Sequence, residues 1–459
     1  MKTNRPIIAF FSLSLLLFAF ASRAADITAT NSGNWGDPTI WDSGTVPGTN
    51  DNADVPAAYI VTVDTNAAVQ YIFDAGTVTL SPNATLTIVG DPAGAYGTQT
   101  LGALNAAADG STVIYTGNSF WAKRTDYYNL VFSNNVVTNL IDFFNGAIPG
   151  YAAVPMNIGG DMTVIGKIKV QEGADFTING NLLLTTNAQW DCSSFNLTVK
   201  SNLTLGPGAL LLDLDGALGT DDFEGNVTVS SNAIGWNVSD VTQWLVGGNL
   251  TNNGLIVGKG YGCITFEGTG IITGKPFTIP TFTNNGTYTI GTTITLSTNT
   301  PTLNGTLVFD LAQTNKIILK AGTNWLWYSG NLDVINSGPA PTAGKSYTLF
   351  SATNYGGAFA LTTFPPLSGG LSWIDNLATS GSIAVSGAVA APTLTLSRNG
   401  GLLTLSWDST TFPGFSVKAQ TNNSGLGSVW YSTGSGTTSP FVVPADPNNK
   451  AVFFRLSNP

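Results

Sequence analysis

One short motif returns along the middle of the chain at nearly constant spacing. A small turn residue, glycine or serine, is followed by asparagine or aspartate and then by a short stretch rich in leucine, valine and threonine. The asparagine and aspartate positions are separated by 20, 21, 24 and 23 residues: Asp161, Asn181, Asn202, Asn226 and Asn249. A fixed spacing of this length is typical of a solenoid, in which each copy of the motif occupies the same part of one coil.

The residue types in the motif predict which kind of solenoid forms. Three short strands and three turns use about 20 residues, and such coils stack about 4.8 Å apart through backbone hydrogen bonds. Leucine or valine would point inward and threonine outward, while each asparagine would bond the asparagine of the next coil. We therefore predict an all-β protein, mainly a right-handed parallel β-solenoid. An array of β-sandwiches shares the alternation, but it leaves the regular spacing unexplained.

Composition excludes several classes of function. Only 10% of the residues are charged, against about a quarter in ordinary soluble domains, and the formal net charge is −10. The chain has no histidine, which excludes serine–histidine and cysteine–histidine nucleophiles and histidine-ligated zinc. Because an acidic surface repels phosphate polymers, we expect no nucleic-acid partner.

The first residues predict export from the cytoplasm. Lys2 and Arg5 precede an apolar run over residues 7–20, and small residues follow. This is the pattern of a secretory signal, with cleavage after Ala24 or Ala21. The run is shorter than the about 20 residues that a membrane-spanning helix needs. We expect a secreted or cell-surface protein with no membrane span after cleavage.

Five segments follow from these patterns. They are a signal peptide over residues 1–24, a tryptophan-containing N-terminal cap with the first coils over 25–100, the β-solenoid over 101–338, a terminal β-layer over 339–386, and a small β-sandwich over 392–459.

Parts of the chain resemble known bacterial families. The relevant motifs are Gly33-Asn34-Trp35 with Trp41 and Val61–Asp64, then Gly305–Phe309 with Ala343–Leu349, and finally Leu403–Trp407 with Phe453–Leu456. The first set resembles the G-eight domain, and the second is similar to the autotransporter-associated β-strand repeat proteins. The third looks like a fibronectin type III-like domain. The resemblance implies a secreted or surface-exposed bacterial β-solenoid of unassigned activity.

An acidic segment is the first candidate site. Five carboxylates lie within twelve residues: Asp213, Asp215, Asp221, Asp222 and Glu224. Calcium takes six to eight oxygen ligands, and clustered carboxylates with loop carbonyls can supply them. The alternative is a solvated acidic loop between coils. No other cofactor is expected.

Aromatic residues form the second candidate site. Trp325 and Trp327 alternate along a predicted strand and therefore share one face, with Tyr328 on the other. Tryptophan faces can stack on sugar rings, so we expect these three residues to bind a glycan. The alternative is that the tryptophans of the array, among them Trp121, Trp190, Trp236 and Trp244, fill the core or cover its ends.

Two functions remain open at this stage. The first is a non-catalytic adhesive or glycan-binding protein whose partner is a polysaccharide or a cell-surface matrix, with no catalytic residue. The alternative is an extracellular polysaccharide lyase using Lys167, Lys169 or Lys200, or a glycoside hydrolase using Asp221 with Glu224. The oligomeric state is undetermined.

The chain has two cysteines, Cys192 and Cys263, separated by 71 residues. In an oxidising compartment they could form one disulfide, provided that they occupy neighbouring positions on nearby coils. Equally, each could pack as a small apolar residue.

Overall fold

The structure, a computed structural model, describes residues 25–74, 76–90, 103–116, 126–142, 155–192, 195–212, 219–238, 243–258, 260, 262–320, 325–368, 370–386, 392–422, 425–434 and 437–457. The chain divides into a large unit, which runs to Ala340 and includes Ser346–Pro365 and Asp375–Ile383, and a smaller unit. The smaller unit contains Pro341–Lys345, Pro366–Ile374 and the residues from Ala384 onward.

The large unit is a parallel β-solenoid of about 11 turns, which confirms the predicted fold class. Each full coil contributes one strand to each of three faces. The strands of face one are Gly33–Asn34, Ile60–Val63, Thr77–Leu80, Ala103–Asn105, Met156–Ile158, Phe176–Ile178, Leu197–Val199, Thr220–Phe223, Gln243–Val246, Cys263–Phe266, Thr281–Asn284, Thr302–Leu303, Trp325–Tyr328 and Asn354–Gly357.

The second and third faces carry the remaining coil strands. Face two contains Ala67–Val69, Thr85–Ile88, Thr112–Thr116, Asn129–Asp142, Met162–Gln171, Leu182–Thr185, Leu203–Leu205, Val227–Val229, Leu250–Asn252, Thr269–Gly274, Thr287–Ile290, Thr306–Asp310, Asn331–Ile335 and Leu361–Thr363. Face three contains Asp26–Thr28, Asn52–Val55, Tyr71–Asp74, Gln189–Asp191, Leu210–Leu212, Gly235–Val238, Ile256–Gly258, Phe277–Ile279, Ile294–Leu296, Ile317–Leu319 and Phe350–Ser351. The long strands Asn129–Asp142 and Met162–Gln171 continue from face two into face three.

Apolar side chains of successive coils form continuous columns inside the solenoid. Leu182, Leu203, Val227 and Leu250 are parallel partners in register, and all four are fully buried. The threonine that follows three of these residues points outward, as the two-residue period requires. A single coil cannot bury its apolar face, so the stack as a whole supplies the core.

The predicted asparagine ladder is present at the corner before face two. Asn181, Asn202 and Asn226 each donate from Nδ2 to the Oδ1 of the previous ladder residue, over 3.0, 2.9 and 2.8 Å. The Oδ1 of Asn226 then accepts the backbone N–H of Asn249 at 2.9 Å. The five motif positions are therefore aligned from coil to coil, which confirms the prediction on which the solenoid rested.

Both ends of the described large unit contain distinctive packing. Near its N-terminus, a one-turn 3-10 helix, Pro38–Ile40, separates Trp35 from Trp41, whose buried rings meet edge to face at 5.2 Å. The strand Ser346–Thr348 comes before the last coil strands, and the strand Trp373–Asn376, a one-turn α-helix, Leu377–Ser380, and the strand Ser382–Val385 follow them.

The smaller unit is antiparallel. One of its sheets contains Thr395–Asn399, Leu402–Ser406 and Phe441–Pro444, and the other contains Ser416–Thr421, Tyr431–Ser432 and Val452–Ser457. Its core is formed by Leu405, Trp407 and Val417. This arrangement is consistent with the predicted small β-sandwich.

Candidate functional site

Two tryptophans lie on the outer surface of face one. Trp325 and Trp327 have 46% and 55% of their surface exposed, and no other tryptophan in the described parts of the chain is exposed to this extent. Leu326 and Tyr328, at the alternate positions of the same strand, are buried. The predicted orientation of the two indoles is therefore confirmed. We call Trp325 and Trp327 the tryptophan pair.

A glycine on the neighbouring strand provides the space for the tryptophan pair. The ring centroids are 5.8 Å apart, with an angle of 29° between the planes. Gly356 is the strand partner of Trp327 in the next coil. A Cβ at Gly356 would lie 3.0 Å from Cε3 and Cζ3 of Trp327 and 3.2 Å from Cε3 of Trp325. Both indoles therefore lie close over Gly356, and a side chain there would require them to shift by a few tenths of an ångström. Sequence reasoning missed Gly356, although a glycine inside a strand often marks a close approach of this kind.

Tyr328 does not belong to this surface, and its predicted part in glycan binding is wrong. Its hydroxyl donates to the carbonyl oxygen of Leu377 at 3.0 Å, and its ring packs against Phe350 and Phe359 with centroids 5.1 and 4.8 Å away. Burial raises the pKa of the Tyr328 hydroxyl above its usual range. The strand alternation that exposes the tryptophan pair places Tyr328 in the core beneath it.

The other tryptophans of the array are part of the core. Trp190, Trp236 and Trp244 are fully buried, and the rings of Trp236 and Trp244 meet at 5.3 Å. The packing interpretation is therefore confirmed for these three residues. Trp121 lies outside the described residues.

The predicted calcium ligands do not converge as a set. Asp221 and Asp222 are consecutive in the strand Thr220–Phe223, so their side chains lie on opposite sides of it. Asp221 is fully buried, and its Oδ1 accepts the backbone N–H of Leu197 at 2.9 Å. Because one ion cannot bind on both sides of a strand, the five-carboxylate site is wrong as proposed. Asp213 and Asp215 lie outside the described residues, and within the described ranges no histidine, cysteine or acidic residues are grouped to hold a metal ion.

The third described carboxylate of that set is on the surface in an ion pair. Glu224 pairs with Lys200, and this hydrogen bond raises the pKa of the lysine. Burial raises the pKa of Asp222, and the nearby Glu224 adds to the effect. Since Asp221 is inside the core and Glu224 outside, they do not form the carboxylate pair considered for glycoside hydrolysis.

The lysines considered for a lyase have other surroundings. Lys169 Nζ lies 2.8 Å from Oδ2 of the buried Asp191, and Lys200 pairs with Glu224 as described above. Lys167 is exposed on the same strand as Lys169. These contacts do not bring the lysines together around a common site.

A buried glutamate was missed by sequence reasoning. Glu172 is fully buried, and its Oε1 accepts the indole N–H of Trp190 at 2.6 Å. Burial raises the pKa of Glu172 well above its usual range, and the charge of Asp221 adds to this shift. The sequence contained a sign of this position. Ile168 and Val170 face inward, and Glu172 comes two residues after Val170, so the two-residue period of a strand directs it inward as well.

The two cysteines do not form a disulfide with each other. Cys192 is fully buried, whereas Cys263 is partly exposed on face one. The coil of Cys263 lies three coils beyond that of Cys192, a separation of about 14 Å at about 4.8 Å per coil. A disulfide needs Cα atoms within about 7 Å, so the alternative of two separate thiols is the one observed.

Comparison with protein-family models, with curated proteins and with solved structures finds no match for this chain. Within the residues that the structure describes, no helix is long and apolar enough to span a membrane.

Proposed function

We propose that this protein is an exported, non-catalytic β-solenoid that binds carbohydrate through the tryptophan pair, in an adhesive or matrix role. The observation that carries the proposal is the position of Trp325 and Trp327, half exposed and held over Gly356. Export rests on the signal-like residues at the N-terminus.

Exposed indoles at these positions favour a ligand over packing. Large apolar side chains on the outside of a strand lose the burial that would stabilise them, and contiguous exposed apolar groups commonly mark binding surfaces. A sugar ring presents a C–H face to an aromatic ring and hydroxyls around its rim. The indoles can contact the C–H face, while neighbouring polar groups can bond the hydroxyls.

The size of the apolar surface favours a small contact. Half of two indole side chains amounts to roughly 250 Å², whereas a stable protein–protein interface takes about 800 Å² from each partner. Covering one face of one ring removes about 60 Å² from water and contributes about 1.5 kcal/mol. Loss of either ring should therefore weaken binding roughly tenfold.

A glycan array and pull-down with insoluble polysaccharides test the proposal. Trp325→Ala and Trp327→Ala should each weaken the binding of any recognised glycan roughly tenfold, and the double variant should abolish it. Tyr431→Ala is the matched control, because Tyr431 is an exposed aromatic residue, 68% accessible, in the smaller unit. Absence of binding to every glycan, or binding that survives in the double variant, would contradict the proposal.

A further inference from the structure

The surface that adjoins the tryptophan pair on face one is polar and uncharged. The face-one strands over these coils are Cys263–Phe266, Thr281–Asn284, Thr302–Leu303, Trp325–Tyr328 and Asn354–Gly357, and none of them contains a charged residue. The protein as a whole has a formal net charge of −10. A ligand on these strands would therefore meet no charged side chain of the strands themselves, and the nearest charge in sequence to Cys263–Phe266 is the exposed Glu267 that follows it.

Threonine hydroxyls lead away from the tryptophan pair along the solenoid axis. Four residues, which we call the threonine strip, occupy the two preceding coils: Thr281, Thr283, Thr300 and Thr302. The hydroxyl of Thr300 donates to the backbone carbonyl oxygen of Trp325 at 2.6 Å, and the hydroxyl of Thr281 donates to the backbone carbonyl oxygen of Thr300 at 3.1 Å. These bonds link the strip to the pair and leave the hydroxyl lone pairs able to accept.

The other two strip residues are strand partners on adjacent coils. Thr302 is exposed, and the hydroxyl of the partly exposed Thr283 lies 3.7 Å from Sγ of Cys263. Consecutive coils lie about 4.8 Å apart, so the strip offers hydroxyls at regular steps beyond the indoles. Cys263, the strand partner of Thr281, marks the far end of this surface, three coils and about 14 Å from the strand of the tryptophan pair.

We propose that the ligand of the tryptophan pair is an uncharged linear polysaccharide that extends along the solenoid axis over the threonine strip towards Cys263. This inference rests on the proposed function and specifies its ligand class. A chain directed along the strands leaves the face within three or four residues, whereas the axial direction continues over further hydroxyls. An acidic polysaccharide would gain no ion pair on these strands and would be repelled by the acidic protein.

Binding measurements with soluble polymers test the ligand class. The uncharged probes are hydroxyethyl cellulose, mixed-linkage β-glucan and glucomannan, and the acidic probes are alginate and polygalacturonate. We expect binding to at least one uncharged polymer, with the same affinity at low and high salt. Binding restricted to the acidic polymers, or weakened steeply by salt, would overturn the inference.

Hydroxyl deletion tests the path of the polymer. Thr283→Val and Thr302→Val remove hydroxyls but retain a branched side chain suited to a strand. Each should weaken polymer binding roughly threefold to tenfold, because a lost hydrogen bond to a neutral partner has about this effect. The control is the pair Thr204→Val and Thr228→Val, outward-facing residues of face two. These variants should bind as the original protein does.

Protection of Cys263 tests how far the polymer extends. In the folded protein, maleimide should react at the partly exposed Cys263, because Cys192 is fully buried, and Cys263→Ser reports any background. A bound polymer should slow the labelling several-fold, whereas the matching disaccharide should not, because it is too short to cover three coils.

The outcomes separate the two proposals. If the tryptophan variants lose polymer binding while the threonine variants and the labelling of Cys263 are unaffected, the axial path is wrong and the proposed function stands. If the tryptophan variants bind every polymer as the original protein does, both proposals fail.

Discussion

Replacement of the buried Glu172 by glutamine should change how the stability of the solenoid depends on pH. The carboxyl is fully buried, with Oε1 bonded to Trp190 and no hydrogen-bond partner for Oε2 within the described structure. Burial is the largest cause of its raised pKa, followed by the charges of Asp221, Asp175 and Asp191, of which Asp191 is itself paired with Lys169. The folded protein therefore holds this proton more tightly than the unfolded chain.

The sign and size of the effect follow from that difference. Below about pH 4.3, the usual value for glutamate, both states are protonated and the contribution of Glu172 to stability is fully present. As the pH rises, the unfolded chain ionises first, and the folded state loses about 1.4 kcal/mol of relative stability for each pH unit. The loss ends when the pH passes the raised pKa of the folded state. Because glutamine stays neutral and its oxygen can still accept from Trp190, Glu172→Gln should remove this slope.

Thermal and urea unfolding between pH 4 and pH 8, followed by circular dichroism, would measure the effect. The difference in stability between Glu172→Gln and the original protein should shift in favour of the variant by about 1.4 kcal/mol per pH unit above about pH 4.3. Glu267→Gln, at an exposed glutamate, is the control for the loss of one carboxylate from the surface. A difference that stays constant over the whole range would refute the reasoning, because it would mean that Glu172 ionises equally in both states.

Three further predictions follow from the ladder and the tryptophan pair. Asn202→Ala removes the acceptor of two bonds from Asn226 and should lower the free energy of unfolding by about 1–3 kcal/mol, measured by urea titration. Gly356→Ala should displace the indoles, since the new Cβ would lie 3.0 Å from Trp327, and should weaken glycan binding in the same array assay with little change in the melting temperature. Tyr328→Phe removes the bond to the carbonyl of Leu377 and should lower stability by about 1 kcal/mol in a melting experiment while leaving glycan binding unchanged.

The predictions for the ladder and for Tyr328 each have an outcome that would contradict them. The exposed Asn253, for which no side-chain hydrogen bond is found in the described structure, gives a control for the ladder, and Asn253→Ala should have little effect. Equal destabilisation by the two asparagine variants would mean that the ladder contributes nothing specific. Loss of glycan binding in Tyr328→Phe with unchanged stability would place Tyr328 in the site after all.

The solenoid was predictable because its signal is repeated. A motif that recurs at Asp161, Asn181 and Asn202 reports the coil length, and the alternation after it reports which side chains face inward. The same alternation predicted that Trp325 and Trp327 share one face of their strand, but it did not show that this face is the outer one. Each such inference needed only the period of a strand and the length of a coil.

The errors arose where proximity in sequence was taken for proximity in space. Asp221 and Asp222 are adjacent in the chain, but the pleat directs them into different environments, so the acidic cluster is not one site. The reverse case also occurs, in which residues far apart in sequence are close in space. Gly356 is 29 residues beyond Trp327, yet it lies under the Trp327 ring because the intervening chain completes one coil. That length differs from the usual spacing, so the motif could not predict the contact.

The tryptophan pair is the place where the local rules of this fold conflict most clearly. The other two residues of this strand follow the usual pattern, because the large side chains of Leu326 and Tyr328 are buried in the core. Two large apolar rings at outward positions forgo burial, and the residue facing them, Gly356, is a poor strand former with no side chain of its own. Natural sequences tend to depart from local consistency at functional sites. We propose that these two departures, which fit one another across neighbouring coils, serve a ligand that covers both indoles.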